Sequence, residues 1–200
     1  MARFRRERVI PIIFVTVIIV IAVIAIISLG RVIFSGITGQ PTITDTSRQT
    51  LTSTSIGHSV QMRVRGPIVA NEELRSYRID VSPESRSMTT FSGYNEQKVI
   101  DNRQLGNTTA AYADFVNALD RANLASGKQL EGDSDNRLGV CASGSLYEFA
   151  IIKDDEPVKD LWTSTCRNAS GSLRANVKVL RDLFVRQIPD GTSLVKKIRL

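Results

Sequence analysis

Residues Cys141 to Cys166 read CASGSLYEFAIIKDDEPVKDLWTSTC. Leu146–Lys153 is rich in apolar and aromatic side chains, and Val158–Ser164 is its counterpart. Between them lie the turn formers Asp154-Asp155-Glu156-Pro157. The segment therefore predicts an antiparallel hairpin. The two cysteines flank that turn symmetrically about Lys153 and Asp154, so strand pairing brings Cys141 and Cys166 together. Bridged Cα atoms must lie within about 7 Å, a condition that a helix or a parallel pair here fails. The hairpin thus predicts a disulfide. A metal site or a catalytic thiol is the alternative use of the pair. Each needs a further ligand or a base, and the one histidine, His58, falls in a predicted spacer.

Upstream, Val60, Met62 and Val64 alternate with Gln61, Arg63 and Arg65, a half-buried strand bent at Gly66-Pro67. Tyr77, Ile79 and Val81 alternate with Arg78 and Asp80; after a turn at Ser82–Ser85, Met88–Tyr94 returns as a partner strand. Val99 and Ile100 sit in a polar stretch that favours neither class. The period then changes. Tyr112, Phe115, Val116 and Leu119 mark one face of a helix over Thr109–Ala125, capped by Asn107 or Thr108 and ended by Gly127. Gly132–Arg137 reads as a polar loop. Downstream of the hairpin, Leu173, Val177, Leu180, Phe184 and Ile188 predict a second helix over Ser170–Ile188, with Ser170 as its cap and Pro189-Asp190-Gly191 as its stop. Leu194–Leu200 reads as a last strand. Strands, helix, hairpin, helix and strand, without regular β-α-β alternation, give an α+β domain with a mainly antiparallel sheet and two amphipathic helices.

Ahead of this domain, Val9–Leu29 reads VIPIIFVTVIIVIAVIAIISL, 21 residues without a charge. As a helix it is roughly 31 Å long, against a hydrocarbon core of about 30 Å. Arg3, Arg5, Arg6 and Arg8 precede it and Arg31 follows, so the positive-inside bias places Met1 in the cytoplasm. Pro11 falls in the first helical turn, where its missing N–H has no partner to lose. The expected organisation is a basic cytoplasmic tail at 1–8, a transmembrane helix at 9–34 in contact with the lipid bilayer, a Ser/Thr-rich spacer at 35–59 and one extracytoplasmic domain at 60–200. A cleaved secretory signal is the rival reading: Ser28-Leu29-Gly30 is a small-residue site, but the apolar run exceeds an ordinary signal core of about 7–15 residues. An oxidising exterior also suits the predicted disulfide.

The 26 Lys and Arg outnumber the 20 Asp and Glu, for a net charge of +6. Residues 1–31 hold five Arg and one Glu; the remaining 21 basic and 19 acidic residues are nearly balanced. The outer domain therefore lacks the basic footprint of a nucleic-acid binder. It also lacks the alternation of basic and aromatic residues that stacks bases.

Motifs of catalysis are weak. Asp133-Ser134-Asp135-Asn136 begins like a calcium loop, but Arg137, Leu138 and Gly144 stand at the fifth, sixth and twelfth positions. Ser193-Leu194-Val195-Lys196 matches S-x-x-K; in a strand its Ser and Lys point to opposite faces. Ser143 lies in GVCASG, which is not G-x-S-x-G, and no phosphate loop, dinucleotide fingerprint or H-E-x-x-H is present. Glu148 and Asp114 are the carboxylates to check for glycosidase-type chemistry. Asn107-Thr-Thr109 and Asn168-Ala-Ser170 fit the N-glycosylation pattern but read equally as helix starts. Trp162, the single Trp, is expected in the core. No catalytic, metal or cofactor-binding residue is predicted, and no cofactor.

The set Cys141, Tyr147, Leu161-Trp162 and Cys166, followed by Leu183-Phe184 and Gln187-Ile188-Pro189-Asp190, resembles single-pass envelope proteins of the Saccharibacteria-type episymbiotic bacteria over residues 60–200. The resemblance implies no activity. The layout also has features of type IV pilins, yet no Gly precedes the apolar run and no Glu stands at its fifth position. The expectation is a membrane-anchored extracytoplasmic binding or structural module with an envelope protein or polymer as partner. A tethered hydrolase of wall polymer or peptide, or a membrane-presented inhibitor or chaperone, are the alternatives.

Overall fold

The alternation at Val60–Arg65 becomes strand β1 (His58–Arg65) in the computed structural model, which describes residues 46–198 and Leu200. Strands β2 (Arg75–Val81), β3 (Ser85–Ser92) and β4 (Lys98–Gly106) follow as a meander. The predicted hairpin forms as β5 (Leu146–Lys153) and β6 (Glu156–Ser164), turning through Asp154 and Asp155, both at positive φ. The sheet runs in the order β4-β3-β2-β1-β5-β6, with every neighbouring pair antiparallel. The mainly antiparallel α+β class is thus observed. Helices α1 (Ser47–Thr52), α2 (Thr109–Arg121), α3 (Val177–Val185) and α4 (Gly191–Ile198) and a 3-10 turn at Gly132–Asp135 complete the described elements.

Strand register assigns each side chain to a face. Val60, Met62 and Val64 stand opposite Ile151, Phe149 and Tyr147 on one side and Val81, Ile79 and Tyr77 on the other. This apolar face receives Tyr112, Phe115, Val116 and Leu119 of α2 and Leu180 and Phe184 of α3. Phe184 is fully buried; it meets Phe115 edge-on, with ring centroids 5.2 Å apart, and Phe149 at 6.0 Å. The T-shaped pair gives the rings a preferred orientation beyond mere burial. Thr108 caps α2 as expected, its hydroxyl accepting from the Ala111 N–H at 3.2 Å.

Four expectations change. First, the spacer was expected to reach residue 59, yet Ser47–Thr52 is helical, Leu51 is buried in the core and His58 opens β1 opposite Lys153. A buried leucine in a Ser/Thr-rich run docks it, together with Ser47 against Lys159 and Arg48 against Asp120. Second, the helix expected at Ser170–Ile188 starts only at Val177, capped by Asn176, whose side chain accepts from the Lys178 and Val179 N–H groups. The preceding residues stay extended because β6 uses them: Leu173 N–H bonds Trp162 O, and Ser172 Oγ accepts from Trp162 N–H. Third, the last strand is helix α4. Its Leu194, Val195 and Ile198 pack on the core at helical spacing, and Asp190 O accepts from Ser193 and Leu194 to start it. Fourth, the unassigned Val99 and Ile100 belong to edge strand β4. The predicted tail, the membrane helix and the spacer up to residue 45 lie outside the described residues; among the described residues no helix is long and apolar enough to cross a membrane.

Candidate functional site

The face of the sheet away from the helices carries charge. Arg78 of β2, Arg63 of β1 and Glu148 of β5 are successive neighbours across the strands, and Glu148 pairs with Trp162 of β6. Alternation forces this: the residues between the core positions of β1 and β2 must point here. The segment 132–142 lies over this face. Its Arg137 donates through Nη1 to Glu148 at 3.0 Å and through Nη2 to Asp135 at 2.9 Å, and reaches Asp160 at 3.0 Å. Arg65 donates to the Arg137 carbonyl at 3.1 Å. Trp162 Nε1 donates to Asp135 at 2.9 Å. Glu96, from the β3–β4 turn, meets Arg63 at 2.8 Å, off hydrogen-bond alignment, and Arg78 at 3.2 Å. Trp162 is therefore buried as expected, but beneath this segment rather than in the helix-covered core.

Burial opposes the charge on Arg137, but its bonds to Asp160, Glu148 and Asp135 outweigh that cost and raise its pKa further. For Asp160 burial dominates and pushes the carboxyl above its ordinary value, against the pull of Arg137. The shared guanidinium gains from three carboxylates, while Asp160 has only that guanidinium against its own burial and two like charges. The cleft beside these groups is about 150 Å³, lined by Gln61, Arg63 and Asp160 among others. That is below the roughly 300 Å³ of a small-molecule pocket. Glu148 and Asp160 are both held by Arg137, with Arg63 also 3.9 Å from Glu148, so this cluster clamps a loop to the sheet.

Cys141 and Cys166 are a disulfide pair with Cα atoms 5.5 Å apart. The bond ties the end of the clamped segment to the residues just after β6. Asp114 is exposed on α2, in the helical layer, so it and Glu148 stand on opposite sides of the sheet. Ser193 and Lys196 sit one turn apart on α4, not on opposite faces of a strand, and both are exposed, which leaves the lysine without the desolvation a base needs. His58 is in β1 rather than a spacer. The calcium-like run forms a 3-10 turn at Gly132–Asp135 whose Asp135 is spent on Trp162 and Arg137. Asn107 donates to Ser82 O at 2.7 Å, and Asn168 begins no helix.

The sheet's two edges are treated differently. The β6 edge is closed by the chain itself: Asp160 N–H donates to Gln129 Oε1 at 3.0 Å, Trp162 N–H to Ser172 Oγ at 3.0 Å, and Leu173 N–H to Trp162 O at 2.9 Å. Gly171 makes this approach possible, since a Cβ there would run into the Trp162 carbonyl. Among the described residues, strand β4 has no such cover. Seven of its nine residues are exposed, including Val99 and Ile100. Beside it, on the helical face, a groove of about 710 Å³ opens between β4 and α4, with Thr90 at its floor, Ile100 and Asp101 on one wall and Leu194 and Ile198 on the other. An uncovered strand next to a groove that mixes apolar and charged groups suits an extended polypeptide, whose main chain pairs with β4 while side chains enter the groove. The residues before Gly106 gave no sequence signal for this. No family model, curated protein or solved structure matches the chain.

Proposed function

We propose that this chain is a membrane-anchored extracytoplasmic binding module of the cell envelope, held by residues 9–34 and docking a polypeptide partner along the β4 edge. The observation that carries the reading is the asymmetry of the sheet: among the described residues, Gln129, Ser172 and Leu173 cover the β6 edge at Asp160 and Trp162, while β4 is left open beside a groove. Natural sheets usually shield long edges, so an uncovered one is a pairing surface. The Cys141–Cys166 pair supports an oxidising compartment, because such bonds persist outside the cytosol. The uncharged run Val9–Leu29 supports the anchor.

Two measurements test this in cells carrying the full chain. Reporter fusions at Met1 and Leu200 should fall on opposite sides of the membrane; the same side for both ends the anchored reading. A photo-crosslinking residue at Gln104 should capture a partner, whereas one at Glu156, at the start of β6, should not. Equal yields from the two positions would remove β4 as the docking element.

A further inference from the structure

We infer that the partner of the β4 edge is a second copy of this chain, its β4 paired antiparallel with the first about a two-fold axis at Asn102. The inference rests on the reading of β4 as a docking edge and adds the occupant. An isologous contact must be self-complementary, and β4 meets that condition with oppositely charged partners in the register centred on Asn102. With the axis at Asn102, Asp101 of each copy stands opposite Arg103 of the other, and Ile100 stands opposite Gln104. Shifting the axis by one residue sets Asp101 against Asp101 or Arg103 against Arg103, a like-charge pair directly opposite, which disfavours strand pairing. The charges thus favour this register over its one-residue neighbours, and it is the register that pairs Asp101 with Arg103.

The side chains are placed for this. Asp101 and Arg103 lie on one face of β4, opposite Thr90 and Met88 of β3. They touch at 3.6 Å and remain 33% and 60% exposed, so both can meet a counterpart. The backbone phase agrees. The Asp101 carbonyl turns toward β3, where it accepts from the Thr90 hydroxyl at 3.4 Å. Alternation then turns the Asn102 N–H and C=O outward. The two Asn102 residues form a hydrogen-bonded pair, and the Asp101–Arg103 contacts fall at the flanking non-hydrogen-bonded positions, where side chains are closest. The register shift between Thr90 and Phe91 bounds the regular edge near Ile100. A second strand would cover the exposed Ile100 and add a wall to the groove beside α4.

The test uses the full chain in membranes of the expressing cells. Asn102→Cys, treated with a mild oxidant, should give a covalent dimer on a non-reducing gel, because paired Cα atoms at this position lie within disulfide reach. Glu156→Cys, exposed at the far hairpin, is the control and should not. Adding Asp101→Arg to Asn102→Cys should abolish the dimer, and adding Arg103→Asp as well should restore it; the double swap guards against simple misfolding. Absence of the Asn102→Cys dimer, or a dimer indifferent to Asp101→Arg, overturns the second copy as partner. If Gln104 then crosslinks to a different species, the docking reading survives and only the occupant is wrong. If β4 yields no adduct of any kind, both readings fall.

Discussion

Arg137 holds three carboxylates on three separate pieces of chain: Asp135 in its own loop, Glu148 on β5 and Asp160 on β6. Arg137→Ala would leave them facing one another, only partly reached by water. We expect a loss of about 3 kcal/mol in chemical denaturation, the scale of breaking a buried ion pair from one side. Arg137→Lys should recover only part of it, because an ammonium cannot match the guanidinium fork. The Arg48–Asp120 pair is a different case. It joins α1 to α2 at 2.6 and 2.8 Å with the Arg48 side chain largely in solvent and the Asp120 carboxylate half-buried, and the bond from Arg48 lowers the Asp120 pKa. A lowered folded-state pKa gives stability that is present above the ordinary carboxylate range and lost as pH falls through the folded value. An NMR titration of Asp120 should show its midpoint rise toward the ordinary value in Arg48→Ala, with little change in stability at neutral pH. Asp160 has the opposite sign: its raised pKa favours the folded state at low pH and costs stability as pH rises through the folded value.

At the scale of elements, the hairpin carries its own consequence. Cys141 and Cys166 are 25 residues apart in sequence, and opening that loop should cost about 3.5 kcal/mol in the chain-entropy account. Cys141→Ser with Cys166→Ser should lower the denaturation midpoint accordingly and loosen the clamped segment, seen as faster amide exchange at Arg137 and Leu138. The two edges should differ without any mutation. Amides of Asp160 and Trp162 are bonded to Gln129 and Ser172 and should exchange slowly. Outward amides of β4 such as Asn102 and Gln104 should exchange near the rate of unprotected chain in a monomer, and become protected where a partner strand docks. Elements were legible where the period was clean. The strand at Val60–Arg65, the hairpin and the start of α2 at Thr108 follow from alternation, turn residues and a cap. Two elements misled. Leu173 lies on the helical stripe by spacing and is buried by the core, yet it arrives on extended chain. Leu194, Val195 and Ile198 fit either period, and helix won because α4 had a core to pack on while the neighbouring segment already filled the β6 edge.

For the whole molecule, one apolar sheet face sealed by helices provides the stability, and Phe184 is its centre. Phe184→Ala should cost about 3–5 kcal/mol by thermal or chemical unfolding, since it removes contacts with both Phe115 and Phe149 and leaves a cavity. The sequence alone determined the α+β class, the antiparallel hairpin, the pairing of Cys141 with Cys166 and the apolar face of β1 and β2, because each depends on local period or on residues brought together by one turn. It also carries the uncharged stretch at Val9–Leu29 and the near-neutral balance of the rest of the chain. Tertiary structure alone decided three things: that β5 returns beside β1, that Arg137 collects its carboxylates from distant segments, and that among the described residues β6 is covered while β4 stays open. The physical reason is that strand order and edge cover arise from pairings across long separations, where no period in the sequence specifies the partner, and the free edge exists only once every other strand has found its neighbour.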